Sequence, residues 1–212
     1  MKLRDTSLSN IETIVFDMGN VLIDLDIPAT LRAFADLQIG DLREEDIHPQ
    51  QRGFWLAYEL GQIDDRGFLE AIRAEYDASG ATDGEIWAAW NAMLPAIDPR
   101  RYALIEELST RYRLFVLSNT NPQHIEHIKK LVAEIIGGKG FEAYFERCFY
   151  SHELLLRKPD PAIYRRVERE SGIDPETTLF IDDNACNLLP AKALHWKTHH
   201  LTAGETIVDL FE

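Results

Sequence analysis

The chain has 212 residues, 45% hydrophobic and 27% charged, the make-up of an ordinary globular protein with one large domain or a core carrying an insertion. Its net charge of −14 argues against a nucleic-acid partner, which needs a basic surface, and against docking on an anionic membrane. Cys148 and Cys186 form neither a CxxC pair nor a disulfide framework, no apolar stretch is long enough to span a bilayer, and Met1–Thr6 lacks the apolar core of a secretory signal, so a cytoplasmic location is expected.

Taken in chain order, Thr13–Phe16 is an apolar run of the kind that makes a buried strand. Residues 28–95 differ from the rest. Helical-period segments fall at Ala29–Leu37, Gly53–Leu60, Asp65–Tyr76 and Asp83–Met93, with Phe54, Trp55, Phe68, Trp87 and Trp90 available to pack them. Pro95 and Pro99 mark the return to the main body. A helix is predicted over Arg100–Thr110, a strand over Leu114–Leu117, and a helix after Pro122 that Gly137-Gly138 interrupts. A short strand at Cys148–Tyr150, a helix at Pro161–Ser171, a strand at Thr178–Ile181, a helix at Leu188–Lys192 and a last strand at Ala193–Lys197 complete the chain. Strands separated by helices predict an α/β, Rossmann-like three-layer sandwich with a mainly parallel sheet. The expected division is 1–27 and 96–212 as core, with 28–95 as an inserted helical cap.

Two strand ends carry acids: Asp17 after Ile14-Val15-Phe16, and Asp182-Asp183 after Leu179-Phe180-Ile181. The carboxyl ends of parallel strands face the crevice where open α/β sheets bind ligands. Three carboxylates around one point repel, so a cation should share the site, and Mg²⁺ is the simplest candidate. Asp17 is either a nucleophile toward phosphorus or a cap for its loop. Gly19 permits close backbone approach and offers a carbonyl to a metal, while Asn20 is placed to hold the loop. Ser118 and Asn119 follow the second strong strand, where a hydroxyl and N–H groups suit phosphate oxygens or simply cap a helix. Lys158, in Lys158-Pro159-Asp160-Pro161, either neutralises a transferring group or sits in a rigid surface turn. Asn187, four residues past Asp183, is placed to orient the carboxylates. His124 and His127 do not make a zinc set and are expected to pack or to lie on a helix face. His195, His199 and His200 suit a strand edge and polar loop, and His48 and His152 local polar roles.

Together Phe16-Asp17-Met18-Gly19-Asn20-Val21-Leu22, Leu117-Ser118-Asn119-Thr120, Arg157-Lys158-Pro159-Asp160-Pro161 and Phe180-Ile181-Asp182-Asp183-Asn184 resemble the motifs of the haloacid-dehalogenase-like hydrolase superfamily, over nearly the whole chain. The resemblance implies Asp17 as nucleophile, Ser118 as a phosphoryl-oxygen ligand, Lys158 orienting nucleophile and phosphate, Asp182 and Asp183 holding Mg²⁺, and a cap that selects substrate. Most phosphatases of the superfamily carry an acid two residues after the nucleophile. Here that position is Gly19, and losing a general acid costs about 10²–10⁴ in rate. The opening is similar to an Asp-x-Gly-Asn subgroup that includes sugar-1-phosphate phosphatases, for which the leaving oxygen needs less protonation. Asp24 and Asp26 are candidates to replace the missing acid, with plain loop solvation as the other outcome.

The expected function is therefore Mg²⁺-dependent hydrolysis of a small phosphorylated metabolite through an aspartyl-phosphate. A dehalogenase, which would use the aspartate with a halide pocket and no Mg²⁺, is an alternative, as is a phosphate-binding or interaction protein without turnover. No feature selects between monomer and homodimer.

Overall fold

Thr13–Phe16 form strand β1, and all four residues are buried, because β1 lies in the middle of a five-stranded sheet. The computed structural model describes residues 10–40, 42–47, 53–138 and 140–211; Met1–Thr6 and His48 lie outside them. After β1 come α1 (Ile27–Asp36), α2 (Glu44–Ile47), α3 (Gly53–Glu59), α4 (Asp65–Glu75) and α5 (Asp83–Asn91). The chain then returns through α6 (Pro99–Leu108), β2 (Arg113–Ser118), α7 (Pro122–Ile135), β3 (Arg147–Tyr150) and α8 (Ser151–Leu154). It ends with α9 (Pro161–Ser171), β4 (Thr178–Asp182), α10 (Ala185–Ala193) and β5 (Lys197–His200).

The strand order is β3-β2-β1-β4-β5, and every pairing is parallel. Successive side chains point to opposite faces, so a sheet covered on both sides needs continuous apolar runs. Ile14, Phe16, Leu114, Val116, Leu179 and Ile181 enter one core with α6 and α7. Val15, Phe115, Leu117 and Phe180 enter the other, with Ile163, Tyr164 and Val167 of α9 and Leu188 and Ala191 of α10. The result is the α/β three-layer arrangement read from the alternating elements. The order reverses at β1, with β2 on one side and β4 on the other, so their carboxyl ends flank a topological switch point.

Helix starts are marked by an acid or amide, in several cases followed by proline. Asp98, Asn121 and Asp160 each accept a hydrogen bond from a first-turn N–H, and Pro99, Pro122 and Pro161 follow where no amide is needed. The helices between β1 and α6 pack on aromatic rings that join the core on the Ile14 and Phe16 face of the sheet. Phe68 lies 5.2 Å from Trp55, 5.3 Å from Trp87 and 4.4 Å from Tyr58, while Trp55 lies 5.0 Å from Trp90, ring centre to ring centre. Such pairs add about 0.5–1.5 kcal/mol each beyond their buried area.

One strand differs from its sequence-based position. The last was expected over Ala193–Lys197, but α10 runs on through Ala193, and the N–H groups of Leu194, His195 and Trp196 close back on its final carbonyls. His195 is left-handed at φ +67°, the chain turns there, and β5 begins only at Lys197.

The insertion meets the core where Trp90 of α5 stacks on His124 of α7, with ring centres 4.7 Å apart. Burial pushes the His124 imidazole down to about 3. An unfolded chain takes the proton near 6.5, so stability is complete above that pH and falls below it by about 1.4 kcal/mol per unit. Between pH 7.5 and 5.0, urea unfolding should show the protein losing about 2 kcal/mol more than His124→Phe, which keeps the stack without titrating. Equal losses in the two proteins would contradict this account.

Candidate active site

Asp17 follows β1 directly, and its N–H continues the ladder to the Ile181 carbonyl at 2.8 Å. The chain then folds tightly: Leu22 and Ile23 both donate to the Met18 carbonyl, and Asn20 donates to Ile23. Asn20 takes the left-handed conformation (φ +54°), which asparagine tolerates. Its amide ties the loop together, accepting the Leu25 N–H at 3.2 Å and donating to Asp183 at 2.8 Å. Gly19 sits in this loop, and a Cβ there would lie 2.7 Å from Leu25 Cδ1. Leu25 fills the space a side chain at residue 19 would enter.

Lys158 is the centre of the site. Its side chain is 1% exposed, and Nζ lies 2.7 Å from both Asp17 Oδ1 and Asp182 Oδ2. Asn119 holds its main chain from both sides, accepting the Lys158 N–H at 2.8 Å and donating to the Lys158 carbonyl at 2.9 Å. The Asn119 side chain is thereby engaged with the Lys158 main chain, and the phosphate contact expected of residue 119 rests on its N–H. Ser118 ends β2 and is buried, with its hydroxyl only 3.4 Å from the Asn119 carbonyl, a weak contact that leaves it available.

The two late acids differ sharply. Asp182 is fully buried, and besides Lys158 it accepts Asn187 Nδ2 at 3.0 Å on each oxygen and the Asn184 N–H at 2.8 Å. Asn187 is itself held by the Tyr164 hydroxyl, which donates to its carbonyl at 2.6 Å. Asp183 is only partly buried and has the Asn20 amide as its side-chain partner.

Asp17, Asp182 and Asp183 each offer an oxygen within 4.8 Å of the others. Oxygens opposed across Mg²⁺ stand about 4 Å apart, so three oxygens grouped this closely suit such an ion. Against these three carboxylates stands one ammonium. Burial raises Asp17 to about 7; Lys158 works against this, and Asp182 and Asp183 add to it. Burial also raises Asp183, with Asn20 opposing. Burial disfavours the Lys158 ammonium, but Asp17 and Asp182 more than compensate and hold its pKa above the ordinary value. The excess negative charge and the oxygen donors fit a hard divalent cation.

Asp24 and Asp26 are engaged elsewhere. Asp24 pairs with Arg101 at 2.7 Å, and Asp26 caps α1 while meeting Arg32 at 3.3 Å. Burial pushes the Cys148 thiol up to about 12, which keeps it protonated, and Cys186 is exposed at the start of α10. A cavity of about 610 Å³ opens between Gly61–Asp64 with Gly67 and the core residues Pro122 and His152, but none of the clustered acids lines it.

The family model for haloacid dehalogenase-like hydrolases matches residues 11–195. The chain belongs to that family. This haloacid dehalogenase-like hydrolase is 28% identical over 190 residues to a D-ribitol-5-phosphate phosphatase of Bacteroides thetaiotaomicron, covering 89% of this chain and 90% of the other. Among solved structures, a HAD family enzyme of the same organism, an aspartate-to-alanine variant in complex with magnesium and inorganic phosphate, superposes with a TM-score of 0.89 at 33% identity, covering 95% and 99% of the two chains. A HAD-like family hydrolase from Porphyromonas gingivalis gives 0.84 at 30% identity, over 92% and 93%. L-2-haloacid dehalogenase from Xanthobacter autotrophicus gives 0.58 at 21%, over 90% and 77%, a likeness of fold alone.

One residue of this haloacid dehalogenase-like hydrolase escaped the sequence reading. Glu59 ends α3, is buried, and pairs with Arg157 at 2.9 Å. Its only sequence signal is an acid closing the apolar helix Gly53–Glu59 just ahead of Gly61.

Proposed function

We propose that the chain is a Mg²⁺-dependent phosphatase that hydrolyses a small phosphomonoester through an aspartyl-phosphate on Asp17. The observation that carries this reading is the Lys158 ammonium, 2.7 Å from Asp17, with Asp182 and Asp183 beside it and one positive charge too few. Residues 28–95 act as the cap, and 1–27 with 96–212 as the hydrolase core.

Asp17, Asp183 and the Gly19 carbonyl would hold the ion. Asp182 has an oxygen within reach, but its hydrogen bonds mark it chiefly as the anchor of Lys158. Bound Mg²⁺ supplies charge neutralisation between the Asp17 carboxylate and the phosphoryl oxygens. An Asp17 oxygen attacks phosphorus, the phosphorus–ester oxygen bond breaks, and the leaving oxygen departs as an alkoxide that takes its proton from solvent water. Lys158 and the Ser118 hydroxyl bind the phosphoryl oxygens whose charge must be stabilised in transfer. The Asn119 N–H would serve the same oxygens, as the sequence led us to expect. Water then attacks the phosphorus of the aspartyl-phosphate, inorganic phosphate leaves, and Asp17 is restored.

With Leu25 where an acid at residue 19 would project, the leaving oxygen receives no proton from that position. A sugar 1-phosphate suits such a site, because its anomeric oxygen is a better leaving group than a simple alkoxide. The relative named for D-ribitol 5-phosphate supports a second class, an acyclic pentitol phosphate with a primary alkoxide. Phosphate release from glucose 1-phosphate, ribitol 5-phosphate and glucose 6-phosphate, with Mg²⁺ and with chelator, tests both. Mg²⁺-dependent release from one of the first two, above that from glucose 6-phosphate, is expected. Folded protein that binds Mg²⁺ yet releases phosphate from none of a broad ester panel would overturn the phosphatase reading.

A further inference from the structure

Glu59 has no part in the phosphoryl-transfer set, yet its surroundings include Arg157, which adjoins Lys158, and Ser151, which holds Thr120. It is 9% exposed, and its carboxylate meets Arg157, the residue before Lys158. Its main-chain carbonyl accepts the Ser151 hydroxyl at 2.7 Å, and the same hydroxyl accepts the Thr120 N–H at 2.9 Å. Two residues on, Gly61 has φ +64° and lies so close to His152 that a Cβ would stand 2.1 Å from its carbonyl oxygen. No other residue type fits that approach without moving backbone. Residues 59–61 of the insertion therefore touch Ser151, His152 and Arg157, and Ser151 in turn holds Thr120. Asn119, beside Thr120, makes both main-chain bonds of Lys158.

A buried ion pair is a poor source of stability, because desolvation offsets the attraction. That holds here: burial raises the Glu59 carboxyl above its usual range although Arg157 and Lys158 both favour its charged form. We propose that Glu59 is a positioning residue: by holding Arg157 across the boundary between insertion and core, it fixes the main chain of Lys158 and sets the ammonium against Asp17 when the insertion is seated. The inference rests on the phosphatase reading above and assigns the insertion a part in building the site itself.

The experiment compares Glu59→Gln, Arg157→Gln and the double variant with the parent protein, using p-nitrophenyl phosphate and Mg²⁺. A misplacement near 1 Å costs about 10² in rate, so kcat should fall at least about tenfold in each single variant, with KM changing less than about threefold. The double variant should be no slower than the slower single one, because each already breaks the same link. Glu59→Asp, which keeps the charge, should recover part of the loss. Hydrogen exchange of the peptide 155–160 should speed up in Glu59→Gln. An unchanged kcat, a change confined to KM, or single losses that multiply in the double variant would overturn the proposal. Should Glu59→Gln not fold, Arg157→Lys carries the same test, since lysine keeps the charge without the fork. If the parent protein turns over no ester, the phosphatase reading fails on its own, and the exchange measurement still decides: unchanged exchange at 155–160 in folded Glu59→Gln removes the positioning role.

Discussion

Asp17→Asn is expected to abolish phosphate release, with a loss of at least about 10⁴ in kcat, the scale on which removing a covalent nucleophile acts. The amide matches the carboxylate in shape but cannot form the aspartyl-phosphate. The same substitution should leave the fold intact and, in chelator, raise the melting temperature. Burial and the neighbouring acids lift Asp17 to about 7, so its charge strains the folded protein, and a neutral group there relieves Asp182 and Asp183 of a like charge. A lost activity joined to unchanged or raised stability identifies a group kept for chemistry. Phosphate release from Asp17→Asn within tenfold of the parent would remove Asp17 as the nucleophile and the aspartyl-phosphate with it.

Much of this site was legible because parallel sheets write themselves plainly in sequence. Each of β1, β2 and β4 is a short apolar run, buried on both faces, and each ends in the polar residues of the crevice: Asp17, Ser118 and Asp182. Proline also marked two helix starts, at Pro122 and Pro161, and placed a third within a residue of its true start at Pro99. What could not be read depends on contacts between distant segments. Asp24 faces Arg101, 77 residues away, and no local pattern announces that pairing. Glu59 and Arg157 meet only because the insertion docks as it does. The adjacent acids Asp182 and Asp183 look alike in sequence, yet one ends a strand in the core and the other begins a loop. That Leu25, six residues on, lies against Gly19 is likewise a matter of packing.

Lys158→Met should lower kcat by about 10²–10³, the loss found when one preorganised group facing a developing anion is removed. It should also destabilise the metal-free protein, because three carboxylates would share a buried site with no counter-charge. The pH dependence of that destabilisation has a definite sign. Lys158 is the main group that lowers Asp17, and removing it raises the folded-state pKa of Asp17 further above the unfolded value near 3.9. A carboxyl whose folded pKa is raised stabilises the protein while protonated and loses that contribution as pH climbs through the raised value. The gap in unfolding free energy between parent and Lys158→Met, measured by urea in chelator, should therefore be small at pH 5 and widen toward pH 8. Added Mg²⁺ should narrow it again, because the ion supplies the missing positive charge to the acids that remain. Asp182→Asn separates the two functions of the lysine: the ammonium stays, but the bond that aims it is weakened, so kcat should fall while the pH-dependent gap stays small. A gap that shrinks with rising pH in Lys158→Met, or that ignores Mg²⁺, would show that the charge balance at these three acids is not what Lys158 maintains.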